Sequence, residues 1–295
     1  MASKILYYLV LFPISILPYF ILYGISNVMY FLLYYVIGYR KKVIQENIYS
    51  SFPEMDDKEK NKIIKKFYLH FCDLVIESIK NFTISEKQIR KRVIFENLDV
   101  LNSLYDKNRN VVSMTSHYGN WELLATSIGD ISKHKQHGIY KPLKSELFDV
   151  KMKQAREKFG LVMFPMADTI KYFKKKYEEP VSIFFASDQW PSNPKRAFWT
   201  KFLGKDTPVL FGAEQYATLF DYSVVYCEMI KVKRGYYSVN FKLLAENPKD
   251  LSKGDITNLY IKELEKTIKK DPSQWLWSHK RWKRTKEEVF NEKKA

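Results

Sequence analysis

At 295 residues, with 46% hydrophobic and 28% charged side chains, the chain has a globular composition and ample length for a core, as one large domain or two small ones. Its two cysteines, Cys72 and Cys227, fall in different predicted elements without metal spacing, which argues against a disulfide scaffold and fits a reducing compartment. A formal net charge of +16 points to a polyanionic partner (nucleic acid, an anionic membrane face or an acidic carrier protein), with plain solubility as the bland alternative.

From Ile5 to Tyr39 there is no Asp, Glu, Lys, Arg or His. A membrane span needs about 20 apolar residues, and this stretch is longer. Tyr7, Tyr8, Tyr19, Tyr23, Tyr30, Tyr34 and Tyr35 crowd it, and such rings favour a membrane interface. Pro13, Pro18 and Gly24 argue against one straight helix. A tilted span, a re-entrant hairpin and a helix lying in the interface all fit, as does a very apolar pair of core helices. A cleaved signal peptide fits poorly, because the apolar region is too long and lacks a small-x-small cleavage site. Lys4 precedes the stretch and Arg40-Lys41-Lys42 follow it, which places the following domain on the cytoplasmic side. The expected division is a membrane-anchoring segment, 1–42, and a catalytic domain, 43–295.

Next, Pro53-Glu54-Met55-Asp56-Asp57 starts a helix over 58–82, with apolar residues at helical spacing from Ile63 to Ile79 and an acidic first turn. Ser85 caps a short helix. The pattern then alternates. Strands are predicted at 93–95, 111–115, 138–140, 161–164 and 181–186. Helices are predicted at 98–105, 121–128, 146–159, 169–177 and 212–220. Strands 223–231 and 236–244 and a helix over 256–270 close the pattern, and the charged tail, 283–295, reads as frayed. Alternating strands and helices predict a mixed α/β sheet flanked by helices.

The most informative stretch is Ser116-His117-Tyr118-Gly119-Asn120-Trp121-Glu122, directly behind the apolar run 111–115. It places a histidine and a carboxylate at a strand-to-helix junction, where α/β scaffolds carry chemistry. Residues five apart on one helix diverge by about 140°. His117 and Glu122 therefore meet only if His117 lies in the turn before the helix, and Gly119 permits such a turn. Glu122 is then expected to orient the imidazole, and His117 to take a proton from a hydroxyl. The bland alternative is a histidine that only hydrogen-bonds the turn. A second junction, Ser187-Asp188-Gln189, follows the strand at 181–186 and is a candidate ligand contact or an Asx-turn. The stretch behind it, Arg196 to Gly204, offers large apolar residues as a wall for a greasy ligand or as satellite core. At a third junction Lys141 leaves a short strand, where a cation can polarise a carbonyl or hold a phosphate, or be merely solvated. Three Trp among basic residues between Pro272 and Lys283 suit a nucleic-acid stacking surface or an interfacial lipid surface.

Together these pieces resemble the lipid A late acyltransferases of the lauroyl/myristoyl type, within the lysophospholipid acyltransferase superfamily. The resemblance covers nearly the whole chain. It rests on the H-x4-D/E pattern at His117 to Glu122 and the D-Q pair Asp188-Gln189. It rests further on the F-x-G-x-x-x-P-like stretch Phe202 to Pro208 and the P-x-Q-W-x-W-x-H-K-R-W-K run Pro272 to Lys283. It implies a glycerolipid-acyltransferase-like fold and transfer of a fatty acyl group from an acyl-carrier-protein or CoA thioester to a hydroxyl of a lipid A precursor. Two departures stand out. Lys141 occupies a position where the family commonly has Arg. Ser116 precedes the His where glycerophosphate acyltransferases usually have Asn.

The expected site thus comprises His117 and Glu122 as catalytic residues. Asn120, Lys141, Asp188 and Gln189 are assigned to substrate binding. The oxyanion is expected to meet Lys141 or backbone N–H groups at the helix start. No cofactor is expected. His134 and His137 have no third ligand nearby and lie beside Lys133 and Lys135, so no metal is expected. Expected partners are an acyl carrier protein, a glycolipid acceptor and an anionic membrane surface, with no nucleic acid. Lys171, Lys174, Lys175 and Lys176, and the basic residues at 280–283, are candidate carrier-docking surfaces. The expected location is the cytoplasmic face of a bacterial inner membrane. The rival readings are the same chemistry on another acceptor, a non-catalytic lipid-binding protein, and a membrane-tethered nucleic-acid-binding protein.

Overall fold

The computed structural model describes residues 2–291. Its centre is a seven-stranded sheet in the order β1-β9-β8-β2-β5-β3-β4. The strands are β1 (Val93–Phe95), β2 (Val111–Thr115), β3 (Lys135–Tyr140), β4 (Val162–Pro165), β5 (Val181–Ala186), β8 (Ser223–Lys233) and β9 (Tyr236–Ala245). A separate two-stranded sheet pairs β6 (Phe198–Phe202) with β7 (Lys205–Val209). In the main sheet only β8 and β9 run antiparallel; the remaining pairs are parallel. The fold is the expected mixed α/β class.

The central strands are buried on both faces, as helix-covered parallel strands must be. All five residues of β2 are buried. Their side chains alternate between two cores. Val112 and Met114 join Ile183, Val224 and Tyr226 on one face, and Val111 joins Phe184, Val225 and Cys227 on the other. The parallel register places Thr115 of β2 beside Ala186 of β5. Both chains then leave the sheet at the same edge, and that adjacency builds the site.

The helix Asp57–Lys80 is the longest in the described structure and begins in a capping box between Asp56 and Glu59. The apolar N-terminus folds as two helical stretches, Ala2–Ile16 and Tyr19–Ile37, broken at Leu17-Pro18. Proline disfavours helical backbone in the residue before it. The amine of Lys80 donates to the carbonyls of Ser15, Ile16 and Leu17 at 2.8–3.3 Å and so satisfies the end of the first stretch. Tyr19–Ile37, 19 residues, is long and apolar enough to cross a membrane by length and composition.

Three local features are not among the expected elements. A helix over Lys41–Ser51 packs Ile44 and Ile48 into the core. The stretch before Gly204, expected as a ligand wall or satellite core, forms one arm of a hairpin: Leu203 and Gly204 both have positive φ, as a two-residue turn requires. The charged tail forms a helix at Lys286–Asn291 with Val289 buried; residues 292–295 of the expected frayed tail lie outside the described residues.

Candidate active site at the ends of β2 and β5

Beyond Thr115 the backbone turns through Ser116 to Asn120 into the helix Trp121–Ser127. Gly119 sits at φ +65, and a Cβ there would lie 3.1 Å from the Met229 carbonyl oxygen. Both facts favour glycine. The turn is held from three sides. His70, on the long helix, lies 3.0 Å from the Gly119 carbonyl through its Nε2. Burial pushes the His70 pKa down to about 4. Its ring is therefore neutral, and a bond to a carbonyl requires the proton on Nε2. The C-terminal strap supplies the second set. Gly119 N donates to the Gln274 carbonyl, Leu276 N to the His117 carbonyl, and the Tyr118 hydroxyl to the Asp271 carbonyl. The third is Asn120, whose Oδ1 caps the helix at Leu123 N while its amide donates to Glu77.

His117 meets a carboxylate, but not Glu122. Its Nδ1 lies 2.7 Å from Asp188 Oδ1, and its backbone N donates to Asp188 Oδ2 at 2.9 Å. The indole of Trp275 donates to the same Oδ2 at 2.9 Å. Asp188 is 2% exposed. Burial works against its charge, yet His117 and Trp275 outweigh it and hold the carboxyl below the ordinary range. An ionised Asp188 fixes the Nδ1–H tautomer of His117 and leaves Nε2 as the basic nitrogen. Burial likewise works against a charged His117, and Asp188, with a smaller contribution from Glu122, raises its pKa overall.

Glu122 instead makes a two-pronged ion pair with Arg156 of the helix Glu146–Glu157, at 2.8 and 3.0 Å. The expectation that Glu122 orients the imidazole is corrected: Asp188 does, because strand adjacency brings it to Nδ1 while Glu122 faces the neighbouring helix. Both Glu122 and Arg156 act on His117 electrostatically, with opposite signs.

The substrate-binding expectations fare unequally. Asn120 is fully buried and uses both ends of its amide inside the protein, a geometry that positions the turn. Asp188 is the partner of His117 and is likewise sealed off. Gln189 is half-buried, and Lys141 is exposed just past β3; neither is paired among the described residues. Of the backbone donors here, the N–H groups of His117 and Gly119 in the turn and of Leu123 in the helix each have an acceptor within the protein.

Most of the Trp-rich C-terminal run is core, with Trp282 half-buried and Lys280 and Lys283 exposed at its end. Trp275, Trp277 and Arg281 are at most 2% exposed, which overturns its reading as a nucleic-acid or lipid face. His279 accepts from Trp190 N at 2.9 Å, and burial pushes its pKa down to about 4. Arg281 donates to the Pro208 carbonyl. His134 and His137 bond backbone carbonyls in the core.

A family model described as bacterial lipid A biosynthesis acyltransferase matches residues 1–284. The chain belongs to the bacterial lipid A biosynthesis acyltransferase family. No curated protein matches it. Membership makes the chain an acyltransferase in lipid A synthesis, acting between an acyl donor and a lipid acceptor. Sequence reasoning missed Arg156 and Trp275 as members of this acyltransferase's site. A lone Arg on a mixed-charge helix gives no local signal, and Trp275 lies far from Asp188 in the chain.

Proposed function

We propose that this acyltransferase moves a fatty acyl chain from an acyl-carrier-protein thioester to a hydroxyl of a lipid A precursor glycolipid. Its place is the cytoplasmic face of a bacterial inner membrane, with residues 1–42 as the attachment segment and 43–295 as the catalytic body. The observation that carries the reading is the His117–Asp188 pair at the ends of β2 and β5, in a chain of this family.

His117 Nε2 takes the proton of the acceptor hydroxyl while the oxygen attacks the thioester carbonyl. Asp188 holds Nδ1–H and stabilises the imidazolium. A C–O bond forms and the C–S bond breaks; the imidazolium returns its proton to the departing thiolate. This direct transfer needs no acyl-enzyme, and both cysteines are buried. The Glu122–Arg156 pair forms a fixed wall beside His117, with the guanidinium and the exposed Lys141 as cations for the oxyanion or an acceptor phosphate. Gln189 lines the same edge. The exposed Lys171, Lys174, Lys175 and Lys176 suit an acidic carrier.

The test is acyl transfer by the purified full-length protein from carrier thioester to a lipid A precursor, read by mass spectrometry. His117→Ala is expected to lower turnover by about 10²–10⁴-fold. Undiminished turnover in that variant ends the proposal.

A further inference from the structure

The N-terminal helices have two contrasting faces. The inner face is tied to the body by polar bonds. Ser26, fully buried, donates to Asp73 at 2.7 Å. Tyr23 donates to Glu77 at 2.8 Å, and Arg234 reaches both Asn27 and Asp73. The tip of the β8–β9 hairpin packs beneath the same helix: a Cβ on Gly235 would lie 1.9 Å from the Tyr23 hydroxyl oxygen. The outer face is apolar and open, with Leu9 at 72%, Phe20 at 76% and Val36 at 65% exposure. A collar of cations stands against aromatic rings of this segment: Arg92 on Tyr19, Arg234 on Tyr23, Lys41 on Tyr34 and Lys151 on Tyr7.

A spanning orientation of Tyr19–Ile37 conflicts with these bonds. At about 1.5 Å per residue, Ser26 lies about 10 Å along the helix, inside a hydrocarbon core of about 30 Å. Asp73, Arg234 and Lys231, which form ion pairs at that level, would be carried in with it. Charges at such depth are costly. An in-plane orientation needs no rupture. The apolar face enters the acyl chains, the polar face stays with the protein, and the cation–aromatic collar meets the headgroups.

We propose that the N-terminal helices lie in the plane of an anionic bilayer, within one leaflet, and do not cross it. This deepens the membrane reading above and rests on it. Each cationic side chain near a surface of anionic lipid strengthens binding several-fold.

The test uses full-length protein with single cysteines at Phe20, Val28 or Val36, each on the open face. Cys72 and Cys227 are buried, so the introduced thiol takes the label. Depth is measured by nitroxide-lipid quenching in vesicles of phosphatidylglycerol and phosphatidylcholine. The expected result is equal, shallow depth at all three positions, and binding more than about tenfold weaker to pure phosphatidylcholine. A Val28 label much deeper than the other two means that the helix spans, and overturns the proposal while leaving membrane attachment intact. Failure to sediment with either vesicle overturns attachment itself. Shielding of all three labels without lipid, in a dimer, assigns the face to a second copy and also overturns it. Acyl transfer to detergent-solubilised acceptor, measured on the same variants, keeps the catalytic reading separate from each outcome.

Discussion

Two carboxylates flank His117, and they are held in opposite ways. Asp188 stands at the end of β5, sealed from solvent, with three N–H donors and, among the described residues, no Lys or Arg in hydrogen-bond contact. Glu122 stands on the following helix, also buried though less completely, and is neutralised by Arg156. A buried anion satisfied by fixed donors keeps its charge available to the imidazole. A carboxylate in a two-pronged pair with arginine has most of its field cancelled locally. The nearer residue in sequence is therefore the weaker partner in space, and the chemistry falls on the pair made by neighbouring strands.

Asp188→Asn attacks that pair most directly. The substitution removes the negative charge and permits the wrong imidazole tautomer, as in a serine-protease triad, and turnover is expected to fall by about 10³–10⁴-fold. The pH profile adds a sign. His117 must be neutral to act as base, so activity rises with pH through its pKa, which Asp188 raises above the ordinary value. In Asp188→Asn the residual activity should therefore reach its plateau at lower pH than in the parent enzyme. A limb that does not move detaches His117 from Asp188.

Glu122 and Arg156 are expected to matter less to turnover, by about 10–10²-fold, equivalent to roughly 1.4–2.8 kcal/mol. Their signature is opposition. Glu122 raises the His117 pKa and Arg156 lowers it, so Glu122→Gln should shift the pH limb down and Arg156→Gln should shift it up. Either single change leaves a partly buried charge unpaired, and the double variant should be more stable than additivity predicts, by about 1–3 kcal/mol in a thermal or denaturant cycle. Shifts in the same direction would break the contrast drawn between the two carboxylates.

Glu77 joins the site to the N-terminal helices. It accepts from Tyr23, Tyr237 and Asn120, and burial raises its pKa. Glu77→Gln turns one acceptor into a donor facing other donors, which costs about 1–3 kcal/mol of stability. Turnover at saturating substrate is expected to fall only several-fold. A loss as large as that of Asp188→Asn would give the turn, not the strand-end pair, the leading role.

Much of this was legible in the sequence, for identifiable reasons. The buried strands 111–115 and 181–186 are continuous apolar runs, and each ends in the polar residues that prove to face one another. The residues were visible; their pairing was not, because it depends on β2 and β5 lying side by side, a long-range fact no local pattern carries. The spacing from His117 to Glu122 favoured the nearer carboxylate. The hairpin turn Leu203-Gly204 carried only half of a two-residue signal, since a Leu stands at the first turn position where Asn, Asp or Gly would mark it, and the large apolar residues around it drew the reading toward a ligand wall. The Trp and Arg residues of the strap misled for a physical reason. Aromatic and basic composition looks alike at a wet interface and in a core where indole N–H groups meet Asp188 and Pro272.

The smallest effect is expected at Lys141, at the end of β3, two strands from His117. Neighbouring strands lie about 4.8 Å apart, so the backbone of β3 stands about 10 Å from that of β2. Only a long side chain closes such a gap, and Lys141 is exposed and unpaired among the described residues. A solvated cation at a cleft rim acts on charged ligands through a screened field, and a substrate phosphate would feel it in binding more than in the chemical step. Lys141→Ala is therefore expected to raise KM for the glycolipid acceptor by up to about tenfold with kcat nearly unchanged, a uniform-binding effect. Lys141→Arg should retain parent KM and, if the ligand is a phosphate, improve on it through the planar fork. Added salt should shrink the difference between Lys141→Ala and the parent. A fall in kcat with unchanged KM would instead put the Lys141 amine on the developing oxyanion and move a third strand end into the catalytic centre beside β2 and β5.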